Sequence, residues 1–110
     1  MKHYEDNFAH DHLPPASLMA ECFTGHPDFE FDENLNCVDY LLDRHIAEGN
    51  GNKTAIRTFD SQWTFNDLYE KANQIAHVLT DNLDFVPGNR VMIRSANNPM
   101  YVACWFGILK

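Results

Sequence analysis

Histidines near the start of the chain have the clearest potential for chemistry. His10 and His12 flank Asp11, and His3 and His26 are nearby in the sequence. Imidazole and carboxylate groups are ligands for zinc and nickel, so a folded segment could hold a metal ion here. The segment lacks the i,i+4 spacing that places two ligands on one face of a helix. We therefore expect incidental capture of nickel or zinc and no physiological metal site.

A glycine-rich stretch has the composition of a phosphate-binding loop and reads GNGNKT at residues 49–54. The P-loop has the pattern GxxxxGK[ST], and it follows a strand and precedes a helix. This stretch instead follows a predicted helix and precedes a predicted strand. It is therefore expected to be a turn, with Gly49 in the left-handed conformation that often ends a helix.

The remaining candidate side chains have simpler structural explanations. His45 and His77 fall in predicted helices, where a histidine at the core or its boundary usually makes one hydrogen bond. Cys104 is expected to be a small buried apolar residue. Asn97 and Asn98 precede a proline and are expected to cap a helix, although ligands of α/β proteins also bind at the ends of strands. No catalytic, cofactor-binding or metal-binding residue is assigned.

Composition favours one domain in a reducing, cytoplasmic environment. The 110 residues are 45% hydrophobic and carry a formal net charge of −8, which disfavours binding to nucleic acid or to an anionic membrane. The longest apolar run, Tyr101 to Leu109, is much shorter than the roughly 20 residues that span a bilayer. The N-terminus lacks the apolar core of a signal peptide. Three cysteines without CxxC spacing suggest neither a disulfide framework nor a zinc site.

Two regions are predicted from the pattern along the chain. Residues 1–34 are rich in proline and histidine and are expected to form an irregular arm on a larger body, anchored by Phe23, Phe29 and Phe31. Residues 35–110 are expected to form a second region with regular helices and strands. In that region apolar residues recur at helical spacing between the N-cap Asn36 and Gly49.

The order of the elements after residue 53 predicts the fold class. A strand in KTAIRTFD is followed by a reversal, an extended pair at Trp63 and Thr64, and a helix that ends near Asn82. Thr64 and Asp67 are spaced as a capping box at the start of this helix. The VPGN turn leads to a strand, RVMIRS, and Asn98 caps a final helix. Strand, helix, strand and helix in succession indicate a right-handed crossover with a parallel sheet, so the fold class is α/β.

The final helix is apolar on all sides and is therefore expected to be buried on all sides. Burying Trp105, Phe106, Ile108 and Leu109 is worth about 6–12 kcal/mol, at about 1.5–3 kcal/mol each. This is comparable with the stability of a whole domain, about 5–15 kcal/mol. We expect the natural protein to continue past Lys110 and to cover this helix, which makes the chain an N-terminal fragment. The alternative is a free-standing acidic interaction module whose last helix docks on a partner or self-associates.

Three motifs resemble the AMP-forming acyl-CoA synthetase family, over about residues 35–110. WTFNDL at 63–68 is similar to the first core motif of the family, with Phe65 in place of Tyr and Asp67 in place of Glu. PGNRV at 87–91 stands where the family has Gly-Asp-Arg-Val, and GILK at 107–110 enters the second core motif, Leu-Lys-Ala-Gly. Lys110 matches the structural lysine of that motif. FAHDHLPP, LNC and NNPM look more narrowly like benzoate and 2-aminobenzoate CoA ligases.

The resemblance implies that residues 35–110 are the start of the large AMP-binding domain, which the chain leaves within the second core motif. It also implies an ATP-dependent reaction in two steps. A carboxylate forms an acyl-adenylate with release of pyrophosphate, and coenzyme A then displaces AMP to give a thioester. ATP, Mg²⁺ and coenzyme A would serve the full-length enzyme, with a small aromatic carboxylate as substrate. The family's phosphate loop, ribose-binding Asp and catalytic Lys would lie downstream, so the chain alone is expected to be inactive. An adenylation domain that loads a carrier protein is the alternative enzyme.

Overall fold

The computed structural model describes residues 4–21, 25–32 and 34–110. It divides into two compact units. The first comprises the described parts of residues 1–35 together with residues 86–90, and the second comprises residues 36–85 and 91–110.

The described residues of the first unit are irregular, with one short helix and two turns. Its elements are helix α1, Phe8–Asp11, and the 3₁₀ turns Ala16–Leu18 and Pro27–Phe29. Phe31 was predicted to anchor this region, but its side chain is 59% exposed, so that prediction is wrong. Phe23 and the side chain of Phe29, the other two predicted anchors, lie outside the described residues.

Backbone hydrogen bonds join the start of the chain to the turn at residues 86–90. The N–H groups of Glu5 and Asp6 donate to the carbonyl of Pro87 at 2.9 and 3.2 Å. Gly88 has φ +103°, and a Cβ atom there would collide with the carbonyl oxygen of Asp6. The position therefore requires glycine both for its conformation and for the close approach of the chain.

Side chains reinforce this junction around the Asp6 carboxylate. The carboxylate accepts the Phe8 N–H at 2.9 Å and the Asn89 side-chain amide at 2.8 Å. These two hydrogen bonds, the Phe8 bond first, hold the pKa of Asp6 below its usual value. The Arg90 guanidinium lies 4.6 Å from the centre of the Phe8 ring.

The second unit begins with the helix that the sequence predicts after Asn36. The Asn36 side chain accepts the Val38 N–H at 2.9 Å, which confirms it as a cap. A π-helical segment, Asp39–Asp43, continues directly into helix α2, Arg44–Ala47. Local spacing predicted the helix, but not its π-helical part.

Two short strands form an antiparallel hairpin. Strand β1, Thr54–Arg57, pairs with strand β2, Gln62–Thr64, in a register that places Arg57 opposite Gln62. Helix α3, Phe65–His77, follows β2 without a loop and continues into a π-helical segment, Val78–Asn82. The predicted helical end near Asn82 is therefore confirmed.

The second predicted strand does not pair. Residues 91–95 show the burial pattern of a strand, since Val91 and Ile93 are half-buried while Met92 and Arg94 are exposed. Among the described residues, however, no strand lies beside them, and the sheet that is present is the antiparallel hairpin. The predicted parallel crossover is thus not found in the described part of the chain, although helices and strands are mixed as expected of an α/β protein.

Helices α3 and α4 enclose most of the core. Helix α4, Pro99–Leu109, packs against α3, and the buried apolar residues come from these two helices and from the segment before α2. They are Val38, Leu42, Leu68, Ala72, Ala103 and Phe106. None of the helices in the described residues is both long and apolar enough to cross a membrane.

Within the described residues, helix α4 is covered on one side, and the covering of its other side by a longer natural protein stays a prediction. Ala103, Phe106 and Gly107 are buried, whereas Tyr101, Trp105 and Leu109 are 39–40% exposed. These three residues recur every fourth position and so share one face. The face is exposed because α3 packs only against the opposite side of the helix.

Gly107 sets the distance between the two helices. A Cβ atom at this position would lie 2.8 Å from the Ala72 carbonyl oxygen and 2.8 Å from the Ile75 side chain. Such distances are too short for real contacts, so any side chain would force α4 away from α3.

We predict that Gly107→Ala destabilises the protein. Overpacking costs about 1–3 kcal/mol, whereas alanine recovers at most about 1 kcal/mol of helix propensity. The net loss should appear as a lower urea midpoint in equilibrium unfolding. Gly25→Ala is the matched control, since a Cβ atom there meets nothing within 4 Å in the described structure. Equal midpoints for the two variants would contradict this account of the helix contact.

Candidate functional site

The strand-to-helix junction at residues 63–68 is organised by a capping box. The Asp67 N–H donates to the Thr64 hydroxyl oxygen at 3.2 Å, and the Thr64 N–H donates to the Asp67 carboxylate at 2.8 Å. The Thr64 hydroxyl also lies 2.7 Å from the same carboxylate oxygen. The capping box predicted from the sequence is confirmed, with Asp in the place of the usual Glu or Gln.

The glycine-rich loop before β1 completes the same helix start. The Phe65 N–H donates to the Lys53 carbonyl at 3.0 Å, and the Asn66 N–H donates to the Gly51 carbonyl at 2.9 Å. Together with the capping box, these bonds satisfy all four N–H groups that a helix leaves unpaired at its start. The N-terminus of α3 is therefore not free to bind an anion.

Gly51 lies where the loop touches the helix. The residue is buried, and a Cβ atom would overlap the Asn66 side chain. The Asn66 side-chain amide donates to the Asn52 side-chain oxygen at 3.1 Å, which adds a second contact between α3 and the loop. The loop thus presents carbonyl groups to a helix, the reverse of a phosphate loop, which presents N–H groups to an anion.

The first part of this loop also ends α2. Gly49 has φ +76°, its N–H donates to the Ile46 carbonyl at 3.0 Å, and the Asn50 N–H donates to the His45 carbonyl at 2.8 Å. This is the hydrogen-bond pattern of a Schellman motif. The expectation of a helix terminator and turn at GNGNKT is confirmed.

The two helical histidines have structural contacts. His45 is half-buried, and its ring stacks on Phe65 with a centroid distance of 4.2 Å. His77 is exposed, and its Nδ1 lies 3.2 Å from the Asp81 carboxylate one helical turn later. His45 thus fits the boundary position expected from the sequence, whereas His77 lies on the surface.

The histidines of the first unit make separate local contacts. His12 stacks on Phe8 and its Nδ1 lies 2.8 Å from the Phe8 carbonyl, while His10 lies 3.7 Å from Asp11. His26 accepts the Asp28 N–H at 3.3 Å. Within the described residues, no three side chains of the metal-binding types form a cluster. His3, the remaining member of the predicted set, lies outside the described residues.

Asn98 caps α4 as predicted. Its side-chain oxygen accepts the Tyr101 N–H at 3.0 Å, and Pro99 occupies the first helical position. Asn97 is exposed, and Cys104 is half-buried within α4. These contacts give Asn98 a structural role, in agreement with the capping interpretation.

Lys110 forms a half-buried contact between elements distant in sequence. Its ammonium lies 2.7 Å from the Asp43 carboxylate and 4.6 Å from the centre of the Tyr69 ring. The side chains of Lys110 and Asp43 are 16% and 29% exposed. Asn36 adds a hydrogen bond of 3.1 Å to the Leu109 carbonyl. The family resemblance implied a structural role for Lys110, but nothing in the sequence indicated its partner Asp43.

A polar depression between β2 and α3 does not fit a nucleotide or its magnesium ion. It is lined by two carboxylates, one lysine, two amides and an indole, from Gln62, Trp63, Asp67, Glu70, Lys71 and Gln74. Asp67 is already bonded to the start of α3, and Lys71 donates to Gln74 at 2.8 Å. A triphosphate requires several converging cations or N–H donors, and this acidic surface supplies neither. This depression is therefore not assigned as a cofactor site.

Comparison with known proteins gives the family. The sequence profile described as "AMP-binding enzyme" matches residues 43–110, which is more than half of the chain. The chain belongs to the AMP-binding enzyme family. This match covers the capped start of α3, the turn at residues 86–90 and the end of α4. No curated protein and no solved structure matches the chain.

In this AMP-binding family member, we predict that Thr64→Ala destabilises α3 by about 1 kcal/mol, the usual cost of losing an N-cap side chain. The loss is measured by urea unfolding at neutral pH. Thr80→Ala is the matched control, since the Thr80 hydroxyl bonds back to the Ala76 carbonyl and caps no helix start. If the two variants lose the same stability, the Thr64 hydroxyl does not act as a cap.

A second prediction concerns pH. Hydrogen bonds from the Thr64 hydroxyl and then from the Thr64 N–H lower the pKa of Asp67 below 3.8. A carboxylate with a lowered pKa contributes stability above its unfolded pKa and loses this contribution as pH falls through its folded pKa. Asp67→Asn should therefore be less stable than the natural chain at pH 7, and the difference should shrink in acid.

The measurement is a series of urea unfolding curves between neutral pH and about pH 3, below the ordinary pKa of Asp. Glu70→Gln is the control, because it removes a negative charge from the same helix without removing a capping bond. A stability difference between Asp67→Asn and the natural chain that is constant over this range would refute the assignment.

Proposed function

We propose that this chain forms the opening section of the large domain of an ATP-dependent acyl-CoA synthetase. The observation that carries the proposal is the family match over residues 43–110. Further support comes from the first core motif, WTFNDL, whose Thr64 and Asp67 form the capped start of α3. In this proposal, the motif acts by fixing a strand-to-helix junction and contacts no substrate.

The full enzyme would activate a carboxylic acid with ATP and transfer the acyl group to coenzyme A. The acid gains a bond to the α-phosphorus and pyrophosphate leaves; the thiol of coenzyme A then takes the acyl group and AMP leaves. Mg²⁺ is proposed as the accompanying metal ion. None of the described residues is assigned to ATP, Mg²⁺ or coenzyme A, so these groups would bind elsewhere in the enzyme.

The proposed role of this section is architectural, and its partner is the remainder of its own chain. The exposed face of α4, formed by Tyr101, Trp105 and Leu109, presents apolar surface that packing would remove from water. Residues 91–95 present a strand-like burial pattern without a neighbouring strand among the described residues. Both features are suited to further packing in a larger α/β domain.

The proposed acid is an aromatic carboxylate, benzoate or 2-aminobenzoate, and the proposed location is the cytoplasm. The support for the acid is the resemblance of FAHDHLPP, LNC and NNPM to the aryl-CoA ligases. Two residues of these segments, Asn36 and Asn98, cap helices in the structure. In this proposal, these two residues hold helix starts in place and do not contact the acid.

The test is an ATP–pyrophosphate exchange assay on the purified product of the whole reading frame that contains this sequence. We expect exchange with benzoate or 2-aminobenzoate and little with a long-chain fatty acid. The 110-residue chain assayed alone should be inactive. Thioester formation is then measured with coenzyme A and, separately, with a phosphopantetheinyl carrier protein.

The arms of this assay separate the alternatives. Transfer to the carrier and not to coenzyme A would replace the synthetase by a carrier-loading adenylation enzyme. Exchange restricted to aliphatic acids would overturn the aromatic assignment while keeping the reaction class. If the whole product exchanges pyrophosphate with none of a broad panel of carboxylic acids, the proposed reaction is wrong.

A further inference from the structure

The glycine-rich loop before β1 contains the one position in this sequence where an asparagine precedes a glycine. Asn50 is followed by Gly51, whereas every other asparagine is followed by a residue with a side chain. An asparagine can react with its own main chain, because attack of the next amide nitrogen on the side-chain carbonyl carbon closes a five-membered ring. A side chain on the next residue hinders the approach of that nitrogen, and glycine has none.

The structure leaves this nitrogen without a hydrogen bond but holds the peptide groups around it. Within the described residues, the Gly51 N–H donates no hydrogen bond. The carbonyl groups on both sides of it are bonded, since the Lys53 N–H donates to the Asn50 carbonyl at 2.9 Å and the Asn66 N–H donates to the Gly51 carbonyl at 2.9 Å. The turn therefore restricts the main-chain rotation that brings the nitrogen to the Asn50 side chain.

We propose that Asn50 is a site of spontaneous deamidation, with the Gly51 nitrogen as the nucleophile, and that the folded loop restrains the reaction. A base in the solvent removes the proton of the Gly51 amide, and the nitrogen forms a bond to Cγ of Asn50. The bond between Cγ and Nδ2 breaks and its electron pair stays on Nδ2. This nitrogen takes a proton from water and leaves as ammonia, which gives a five-membered cyclic imide.

Water then opens the imide at either of its carbonyl carbons. Cleavage of the bond between the Gly51 nitrogen and Cγ leaves an aspartate at position 50. Cleavage of the bond between the same nitrogen and the main-chain carbonyl carbon leaves an isoaspartate, in which the chain runs through Cγ and is longer by a methylene group. The Gly51 nitrogen recovers its proton in both cases. The net change consumes a water molecule and releases ammonia, with no oxidation or reduction.

Both products disturb the end of α2. The Asn50 side-chain amide donates to the Glu48 carboxylate at 3.2 Å, and deamidation replaces this donor by a second carboxylate. Carboxylates so close together repel each other, and negative charge is unfavourable at the C-terminal end of a helix. The isoaspartate also displaces Gly51 from a place where even a Cβ atom would overlap the Asn66 side chain. It therefore loosens the contact of the loop with the start of α3 as well.

The test follows the tryptic peptide of residues 45–53, which contains both Asn50 and Asn52. The natural chain is kept at neutral pH, either folded or unfolded in urea, and tandem mass spectrometry locates the mass gain of an amide converted to an acid. A sample digested without incubation corrects for reaction during digestion. Labelling by an isoaspartate-specific methyltransferase identifies the isoaspartate product. Asn52 is the internal control, because the residue after it is a lysine.

We expect the mass gain at Asn50, while Asn52 remains an amide. Unfolding should accelerate the reaction at Asn50 at least about tenfold, because the reaction then no longer depends on local opening of the loop. In the folded chain, Asn66→Ala should also accelerate it, since this variant loses the hydrogen bond to Asn52. Asn73→Ala, further along the same helix, is the matched control and should leave the rate unchanged.

The role of Gly51 is tested in the unfolded chain, where its contact with Asn66 no longer matters. Gly51→Ala in urea should slow the reaction at Asn50 severalfold, because a methyl group then shields the nitrogen. The effect on the fold is tested with Asn50→Asp, which should lower the urea midpoint, and Glu48→Gln in the same chain should restore it. Asn52→Asp is the control, because it adds the same charge to the loop and keeps the acceptor for Asn66.

Several outcomes would overturn the inference. No mass gain at Asn50 in the unfolded chain would remove the site, and equal gains at Asn50 and Asn52 would remove the role of Gly51. A rate in the folded chain that equals or exceeds the rate in urea would show that the loop does not restrain the reaction. If Asn50→Asp and Asn52→Asp have the same urea midpoint, the repulsion from Glu48 is not the cause of any lost stability.

Discussion

The close packing of α4 on α3 is the constraint on which the core depends. It requires a residue without a side chain at position 107, because the Ala72 carbonyl and the Ile75 side chain occupy the space that a Cβ atom would take. With the helices this near, Ala72, Ala103 and Phe106 are buried between them. At the end of α4, Lys110 then reaches Asp43 and the Tyr69 ring, and so ties the helix pair to the segment before α2. One glycine therefore sets the geometry of several contacts remote from it in sequence.

Features governed by neighbouring residues could be predicted from the sequence. The caps at Asn36 and Asn98, the Thr64–Asp67 box and the left-handed Gly49 all depend on residues within a few positions of each other, and all are confirmed. The pairing of residues 91–95 and the burial of the Tyr101–Leu109 face depend on distant segments. Sequence periodicity shows that such surfaces are apolar, but it does not show what covers them. For this reason, the predicted parallel sheet was not found among the described residues, and the covering of the Tyr101–Leu109 face stays a prediction.

The candidate functional residues also fall into two groups: those whose role follows from neighbouring residues, and those whose contacts only the structure shows. Spacing alone rejected GNGNKT as a phosphate loop, and the structure gives the physical reason, since its carbonyl groups are bonded to the start of α3. The family was recognisable through three short motifs, and the residues of the first one cap a helix in the structure. Motifs of this kind are informative because they fix backbone geometry at junctions. The Asp43–Lys110 ion pair and the exposed Phe59 side chain on the hairpin turn correspond to no short sequence motif, so they are identified from the structure alone.

The loop at residues 49–53 has a further consequence for motion. Its first residues close the hydrogen bonds at the end of α2, and its later residues close those at the start of α3. Fraying at either helix end must therefore disturb the same few peptide groups. The two ends are expected to open in a single concerted event, with their amide protons exchanging with solvent at a shared rate instead of independently.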